Sequence, residues 1–421
     1  MFTFIHAADI HLDSPLRGLE HYDGAPVEQI RGATRQALAN LVELAIAERV
    51  AFVLFAGDLY DGDWRDYNTG LFFATQMTQL RAAGIPVFLI AGNHDAASQV
   101  TRYLRLPENV TMFSVQSPQT VYLEAFDVAL HGQGFGKRVV TDDLSAAYPA
   151  PDFHLFNIGL LHTSVDGREG HEPYAPCSLD GLRSKRYDYW ALGHVHTREV
   201  LHREPWIVFP GNIQGRHARE IGPKGCTLVT VQDAQVVSAV HRDLDVLRWA
   251  VCTVDASGSH TADDVVEQVR QALVHELTAG DGRPLAARIR LLGACQAHGE
   301  LSANVERWTN EIRTVATDVS NGTLWIEQVK LHTRPEADLD RMLTRDDALG
   351  HLLRALLRWE SDESFLAEVT GEFRDLAHKL PLELRSGDEA IDLEDPQTMR
   401  QAVEDVKHLL LSRLLSAEDA Q

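Results

Sequence analysis

Carboxylate, imidazole and amide side chains recur in short motifs of the sequence, each placed directly after an apolar run. The motifs are Asp9-Ile10-His11, Gly57-Asp58, Gly92-Asn93-His94-Asp95, His162 and Gly193-His194-Val195-His196. Seven of these side chains could bind a metal through oxygen or nitrogen: Asp9, His11, Asp58, Asn93, His162, His194 and His196. Because no thiolate is among them, the set suits Mn²⁺, Fe²⁺ or Zn²⁺ better than Ca²⁺ or an iron–sulfur cluster.

The size of this ligand set predicts two ions rather than one. Seven ligands are too many for a single tetrahedral site, whereas two ions that share a carboxylate can use all of them. Paired ions about 3.5–4 Å apart activate a water molecule and hold a phosphoryl group. Each residue alone has a simpler explanation, since His162 could be a structural histidine and Asp58 a helix N-cap. Those explanations would have to hold together at every motif, so we expect a dinuclear centre.

The elements that must position these side chains form an α/β pattern. Short apolar runs predict buried strands at Phe2–Ala8, Phe52–Ala56, Val87–Ala91, Asn157–Leu161, Tyr189–Leu192 and Trp206–Phe209. Between the first two, apolar residues from Ile30 to Ala45 follow helical spacing. In open α/β sheets, functional groups gather beyond the carboxyl ends of the strands, where all the motifs begin. We therefore expect the motifs to converge in space.

The later sequence predicts two further regions. Strands at Trp249–Val254, Ala287–Leu292 and Leu324–Leu331 alternate with helices at Ala262–Leu277 and Ser302–Ala316. After Pro335 the pattern is helical, and its last stretch has an apolar stripe of Met399, Val403, Val406, Leu410 and Leu414. We predict a catalytic domain over 1–247, a small α+β cap domain over 248–335 and a helical region over 336–421. The fold class is thus a layered α/β sandwich with an α+β cap and a helical tail.

Composition limits the class of protein and of partner. The chain has 421 residues with a formal net charge of −22, which argues against binding nucleic acid by bulk electrostatics. Four scattered cysteines without a CxxC pair suit a reducing compartment. There is neither an apolar stretch long enough to span a membrane nor a secretory signal at the start, so we expect a cytoplasmic protein with no membrane partner.

The ordered motifs D-x-H, G-D-x-x-D, G-N-H-D, a single His after a strand, and G-H-x-H resemble the calcineurin-like metallophosphoesterase superfamily. The whole chain resembles the SbcD/YhaO type of DNA-repair nuclease within it. The run from Phe209 to His217, FPGNIQGRH, is particularly similar to the YhaO branch. The resemblance implies a layered metallophosphoesterase sandwich with a cap, and two divalent ions, for which Mn²⁺ is expected.

The resemblance also implies a role for each motif residue. One ion would be bound by Asp9, His11, Asp58 and His196, and the other by Asp58, Asn93, His162 and His194, with Asp58 bridging. His94 would lie by the scissile phosphate and assist the leaving oxygen, and Asp95 could orient its imidazole. Arg216 and His217 follow a Pro-Gly-Asn turn and could either reach a phosphate or be solvated loop residues.

Three functions are compatible with these motifs. The first is a DNA phosphodiesterase, with DNA as substrate and an SbcC-like coiled-coil ATPase bound by the C-terminal helices. The second keeps the dinuclear enzyme but gives it small phosphoesters or nucleotides, which the acidic composition favours. The third is a non-catalytic adaptor of the ATPase, against which the intact ligand set and His94 count. The sequence does not distinguish exonuclease from endonuclease action or single-strand from double-strand preference. A homodimer is also compatible with it.

Overall fold

The computed structural model describes residues 1–14, 27–60, 67–97, 105–166, 174–336 and 343–379, and in the last stretch 393, 395, 397–400, 402–403 and 406. The chain divides into two compact units. The first is Met1–Ala250 with Gly280–Ala287, and the second is Val251–Ala279 with Arg288–Gln421.

The first unit is built from two six-stranded sheets with helices. Its strands are β1 (Phe2–Ala7), β2 (Phe52–Phe55), β3 (Val87–Leu89), β4 (Val110–Met112), β5 (Gln119–Leu123), β6 (Val128–Gly132), β7 (Phe156–His162), β8 (Tyr189–Gly193), β9 (Glu199–Arg203), β10 (Trp206–Phe209), β11 (Gly225–Gln232) and β12 (Gln235–Asp243). Its α-helices are α1 (Val27–Ala47), α2 (Tyr67–Ala82), α3 (Asn93–Ala97) and α4 (Leu179–Ser184), and short 3-10 turns cover Glu124–Phe126 and Leu144–Ala147.

The strand order explains where the motifs can meet. The first sheet runs β12-β11-β1-β2-β3-β4 and the second β5-β6-β7-β8-β10-β9. Strands β1 to β4 are parallel neighbours, and so are β6, β7 and β8. Each sheet therefore gathers the carboxyl ends of several strands at one edge, which is where parallel α/β sheets carry functional groups.

The two sheets pack face to face, because alternate residues of each strand point to opposite sides. In β1, Phe4 lies between the sheets, stacked on Phe52 at a ring-centroid distance of 5.0 Å and edge-on to Tyr189 at 5.3 Å. Its neighbour Ile5 points outward and packs with residues of α1 and α2. In β8, Trp190 points outward into a cluster that includes a leucine of α4. The predicted α/β sandwich is confirmed, with helices outside two central sheets.

The later chain contains a three-stranded sheet in the order β13-β14-β15. Its strands are β13 (Arg248–Asp255), β14 (Leu285–Cys295) and β15 (Leu324–Pro335), and the helices between them are α5 (Ala262–Ala279), α6 (His298–Ala303) and α7 (Val305–Ser320). The predicted strands and the first predicted helix are present, whereas the single helix predicted at Ser302–Ala316 is interrupted at Asn304, where α6 ends and α7 begins. Helices α8 (Ala348–Ser361) and α9 (Glu363–Lys379) follow, as the helical pattern predicted.

The predicted apolar stripe is only partly described. Met399 is 3% exposed and Val406 49% exposed, while Leu410 and Leu414 lie outside the described residues. The three-domain boundaries stay a prediction. Across the described ranges, no helix is both long and apolar enough to cross a membrane.

Candidate metal centre

The predicted site residues meet at the edge where the carboxyl ends of the central strands converge. The loops after β1 and β2 run side by side, since Asp9 N–H donates to Gly57 O and His11 N–H to Asp58 O, both at 3.0 Å. The second sheet joins them through His194, whose N–H donates to the Asp9 carboxylate at 3.0–3.1 Å. Backbone hydrogen bonds thus join the loops after β1 and β2, and the Asp9 carboxylate joins them to the second sheet.

Glycines allow the loops to approach this closely. A Cβ atom on Gly193 would lie 1.9 Å from Ala56 O, and one on Gly92 would lie 2.2 Å from Asp58 Oδ1. Real Cβ atoms do not tolerate such distances, because interiors are close-packed and the neighbours here are main chain and a buried carboxylate. The glycines of the G-D, G-N and G-H motifs are therefore explained by packing between loops.

Replacing Gly193 by alanine should destabilise the chain by about 1–3 kcal/mol or more, the usual cost of forcing atoms into a packed core. Thermal unfolding measures the effect. The matched control is Gly32→Ala in the interior of α1, where an added Cβ has no neighbour within 4 Å. Alanine there should be neutral or stabilising by up to about 1 kcal/mol. Equal stability of the two variants would show that the loops do not pack as described.

The backbone of the motif residues is strained. Asp9, His11, Asp58 and His194 have φ angles of 51°, 44°, 51° and 104°, in the left-handed region that L residues rarely adopt. Each such residue costs on the order of 1–3 kcal/mol and persists only where surrounding contacts hold it. Strain of this kind gathers at functional sites, and here the contacts that hold it are the main-chain bonds between the loops.

One group of possible ligand atoms comes from Asp9, His11 and His196, which lie within 4.8 Å of one another. His11 Nε2 is 3.2 Å from His196 Nε2, and His196 Nε2 is 3.9 Å from Asp9 Oδ1. Asp9 and His11 are fully buried, whereas the side chain of His196 is 20% exposed. This group therefore opens to solvent on the side of His196.

A second group comes from Asp9, Asp58 and His162, also within 4.8 Å. His162 Nε2 is 2.9 Å from Asn93 Oδ1 and 3.4 Å from Asp58 Oδ2. The same Asp58 Oδ2 is 3.9 Å from His11 Nε2. Asp58 Oδ2 thus lies near a histidine of each group.

His194 lies near His162, and His94 lies near His11. The ring of His194 is 5.2 Å from that of His162 and 5.6 Å from that of Tyr174, measured between centroids. His94 donates its backbone N–H to Asp58 Oδ1 at 2.9 Å, and its ring lies 4.9 Å from that of His11. His94 is partly exposed and also forms a possible ligand group with His11 and Asp58.

The buried charges of the site depend on one another. Burial and the neighbouring Arg216 hold the pKa of His11 well below its usual range. Burial also opposes a charge on His162, but the charge of Asp58 and its hydrogen bond raise the pKa of His162 to about 9. For Asp58, burial is outweighed by the positive charge of His162, which keeps its pKa well below the usual range. Buried carboxylates such as Asp58 are stabilised by a paired cation or a coordinated metal.

Comparisons with known proteins agree with this geometry. The calcineurin-like phosphoesterase family matches residues 2–198, and the middle domain of metallophosphoesterase YhaO matches residues 249–334. An uncharacterized metallophosphoesterase YhaO of Bacillus subtilis is 36% identical over 295 residues, which cover 69% of this chain and 72% of that protein. The chain belongs to the calcineurin-like metallophosphoesterases of the YhaO type. This family consists of hydrolases that cleave phosphate esters.

More distant relatives of the family are two archaeal proteins named DNA double-strand break repair protein Mre11. The one from Sulfurisphaera tokodaii is 27% identical over 204 residues, covering 47% of this chain and 49% of the relative. The one from Saccharolobus solfataricus is 26% identical over 206 residues, covering 47% and 50%. In both cases the match spans about half of the relative's length.

The residues present fit the metal ions that the family implies. Metal–ligand bonds of about 2.0–2.2 Å place two ligand atoms of one ion about 3.0–3.5 Å apart. The distances of 3.2 Å from His11 Nε2 to His196 Nε2 and 2.9 Å from His162 Nε2 to Asn93 Oδ1 are close to that range. His162 Nδ1 donates to Ala56 O at 2.9 Å, so a neutral His162 has its free lone pair on Nε2. With the Asn93 amide oxygen facing that lone pair, a proton or a cation between the two atoms would satisfy both.

Asp95 has a different set of partners from the one predicted. One carboxylate oxygen accepts hydrogen bonds from the backbone N–H groups of Leu59 and Tyr60 at 3.0 and 2.9 Å, and the other accepts from Gly92 N–H at 3.0 Å. Burial, with the nearby charge of Asp58, raises the pKa of Asp95 to about 6. Asp95 thus ties the loop after β2 to the loop after β3. These contacts give no support to the prediction that it orients His94.

Arg216 and His217, the predicted phosphate contacts, lie beside the first ligand group. Arg216 Nη2 is 3.4 Å from His196 Nδ1, and His217 Nε2 is 3.4 Å from Glu220 Oε1. Glu220 is the site residue that sequence reasoning missed: it is 5% exposed and lies 2.6 Å from His196 Nδ1. It lies eight residues after Asn212 of the Pro-Gly-Asn turn and carries no motif of its own, so no local pattern indicated it.

Proposed function

We propose that this chain is a metal-dependent DNA phosphodiesterase with two divalent ions, Mn²⁺ in the cell, one on each side of Asp58. The observation that carries the proposal is the position of Asp58 Oδ2, 3.4 Å from His162 Nε2 and 3.9 Å from His11 Nε2. One carboxylate oxygen thus lies near a histidine of each ligand group.

The proposed ligands divide between the two groups. Asp9, His11, Asp58 and His196 would hold one ion, and Asp58, Asn93, His162 and His194 the other. When bound, the pair supplies a hydroxide near neutral pH and offsets the negative charge that builds up on the phosphate. Main-chain bonds to Asp9 and Asp58 keep their carboxylates in place for this role.

His94 and Arg216 act on the phosphate itself. The partly exposed His94 imidazole would donate a proton or hydrogen bond to the departing sugar oxygen, which is the work of a general acid. The Arg216 guanidinium, beside His196, would contact a phosphate oxygen, as arginine commonly does. His217 would lie at the outer side of that contact, with its side chain 34% exposed.

DNA is the proposed substrate because the more distant relatives are named as DNA break repair proteins. The net charge of −22 is the observation that favours small phosphoesters or nucleotides instead. A DNA substrate is compatible with that negative charge if another protein binds the duplex. In this proposal an SbcC-like coiled-coil ATPase binds the DNA and this chain cleaves it. In this proposal residues 1–247 hydrolyse, 248–335 limit which nucleic-acid shapes reach the metals, and 336–421 bind the ATPase. The four cysteines, all free and buried, suit a cytoplasmic protein.

An assay with competing substrates tests the proposal. We expect the Mn²⁺-loaded chain, mixed with its ATPase, to degrade labelled duplex DNA and, alone, to hydrolyse a small phosphodiester slowly. His94→Ser serves as the inactive control. Hydrolysis of nucleotides or phosphomonoesters without any DNA cleavage would favour the small-substrate alternative, and metal-loaded protein without hydrolysis of any ester would favour the adaptor.

The tail proposal predicts the effect of one surface substitution. Val406 belongs to the apolar stripe and is 49% exposed in the chain alone, so Val406→Asp should not disturb folding. If the stripe binds the ATPase, a buried charge there should weaken association at least about tenfold, which is about 1.4 kcal/mol. Val237→Asp, at a 57% exposed position on β12, is the matched control. Co-elution on size exclusion measures both, and equal binding by the two variants would place the docking surface elsewhere.

A further inference from the structure

We propose that Glu220 is a positioning residue that fixes His196 as a metal ligand and holds Arg216 against it. The Arg216 half of this inference rests on the proposed function, in which Arg216 contacts the phosphate. The His196 half concerns metal binding and stands without it.

Donors converge on both oxygens of the Glu220 carboxylate, which is 5% exposed. Oε1 is 2.6 Å from His196 Nδ1, 3.2 Å from Arg216 Nη2 and 3.4 Å from His217 Nε2. Oε2 accepts the backbone N–H of Arg216 at 2.7 Å and the side-chain amide of Asn212 at 2.8 Å. A single carboxylate therefore organises the whole turn that follows β10.

The contact with His196 decides which of its nitrogens can bind a cation. An ionised carboxylate only accepts, so the proton of a neutral His196 lies on Nδ1 and the lone pair on Nε2. Nε2 is the atom that faces His11 Nε2 at 3.2 Å and Asp9 Oδ1 at 3.9 Å. Carboxylates that hold a ligating histidine in this way affect metal affinity about 10–100-fold.

The contact with Arg216 places a guanidinium beside that ligand. Arg216 Nη2 lies 3.4 Å from His196 Nδ1, and Nη1 lies 3.4 Å from Ser14 Oγ. A guanidinium so near a dication site is repelled by it, and the negative charge of Glu220 between them offsets that repulsion. Glu220 thus allows a cationic side chain and a cation to occupy neighbouring positions.

Glutamine cannot replace this carboxylate. Both oxygens of Glu220 accept from N–H groups, whereas a glutamine amide has one acceptor oxygen and two donor hydrogens. Whichever way the amide is turned, the Glu220→Gln substitution would set an NH₂ group against a donor, either His196 Nδ1 or the Arg216 backbone N–H. The charge that offsets Arg216 is also lost, although side-chain size is nearly unchanged.

The test compares Glu220→Gln with Glu327→Gln in the full chain. Glu327 is also a buried carboxylate bound by an arginine, since Arg288 donates to it at 2.7 and 2.8 Å, but it lies in the second compact unit. Isothermal titration with Mn²⁺ should show one of two sites weakened about 10–100-fold in Glu220→Gln and neither weakened in Glu327→Gln. Unchanged Mn²⁺ affinity in Glu220→Gln would overturn the His196 half.

Kinetics on a small phosphodiester test the Arg216 half. At Mn²⁺ concentrations that saturate both sites in every variant, Arg216→Ala and Glu220→Gln should each raise KM. The double variant should raise KM no further than Arg216→Ala alone, because with the metals bound Glu220 acts on substrate through Arg216. Additive increases in KM would overturn that half. If the wild-type chain hydrolyses no phosphodiester, the proposed function and this half fail, while the Mn²⁺ titration still decides the other.

Glu220→Asp provides a second variant should Glu220→Gln fail to fold. It keeps the charge and both acceptor oxygens on a shorter side chain, so it should bind Mn²⁺ more tightly than any Glu220 variant without a carboxylate, Glu220→Ala included. Equal Mn²⁺ affinity of Glu220→Asp and Glu220→Ala would contradict a role for the carboxylate in positioning His196.

Discussion

Replacing Asp58 by asparagine abolishes hydrolysis, with an expected loss of at least about 10³-fold, and leaves at most one ion bound tightly per chain. Asp58 Oδ2 faces His162 at 3.4 Å and His11 at 3.9 Å, so the substitution removes a negative charge from both ligand groups at once. The lost charge matters more here than on the surface because Asp58 is 2% exposed. Metal analysis after dialysis against Mn²⁺ and phosphodiesterase rates measure the two effects.

A matched control separates this effect from general damage to the fold. Asp188 is a partly buried carboxylate that accepts Asn157 N–H at 2.7 Å just before β8 begins, at the opposite end of the strand from His194. Asp188→Asn should therefore lose some stability and keep both ions. If Asp58→Asn keeps two ions and its activity, Asp58 does not bridge them.

Replacing His94 by serine should lower the rate by about 10²–10⁴-fold, the usual contribution of a positioned general acid, while both ions stay bound. The seven proposed ligands do not include His94, so metal binding does not need its side chain. The hydrogen bond from His94 to Asp58 comes from the backbone N–H and would remain in the variant. Loss of the His94 side chain should therefore affect the transition state more than the ground state, so kcat falls while KM changes little.

The His94→Ser variant distinguishes a leaving-group role of His94 from a role as metal ligand. The His94 ring lies 4.9 Å from the His11 ring and forms a possible ligand group with His11 and Asp58. Metal content measured beside the rate separates the two roles. A fall in bound Mn²⁺ that parallels the fall in rate would make His94 a ligand and would contradict the proposed leaving-group role.

Much of the fold could be predicted from the sequence because it is encoded locally. Apolar runs such as Phe52–Phe55 and Tyr189–Gly193 are buried throughout, and a glycine lies at or within two residues of the carboxyl end of each. Parallel strands bring those ends to one edge of each sheet, which places Asp9 beside Asp58, and the packing of the two sheets then brings His162 to them. Strands β9 and β12 at the sheet edges are less apolar and were not predicted, and the buried inner strands β6 and β11 were also missed.

The parts of the site that could not be predicted depend on contacts between distant segments. Glu220 reaches His196 across a turn whose shape no local pattern specifies, and Asp95 binds the amides of Leu59 and Tyr60 although the sequence suggested its neighbour His94 as partner. Sequence periodicity shows which face of an element is buried but not which donor meets a buried acceptor. Residues that position ligands are therefore harder to predict than the ligands.

Anomalous scattering from crystals grown with Mn²⁺ tests the central claim most directly, because it locates each ion without relying on activity. The expected result is two peaks about 3.5–4 Å apart with the Asp58 carboxylate between them, one beside His11 and His196 and the other beside His162. Data collected above and below the manganese absorption edge identify the peaks as Mn²⁺. A single peak, or peaks that do not contact Asp58, would contradict the dinuclear centre and the proposed function built on it.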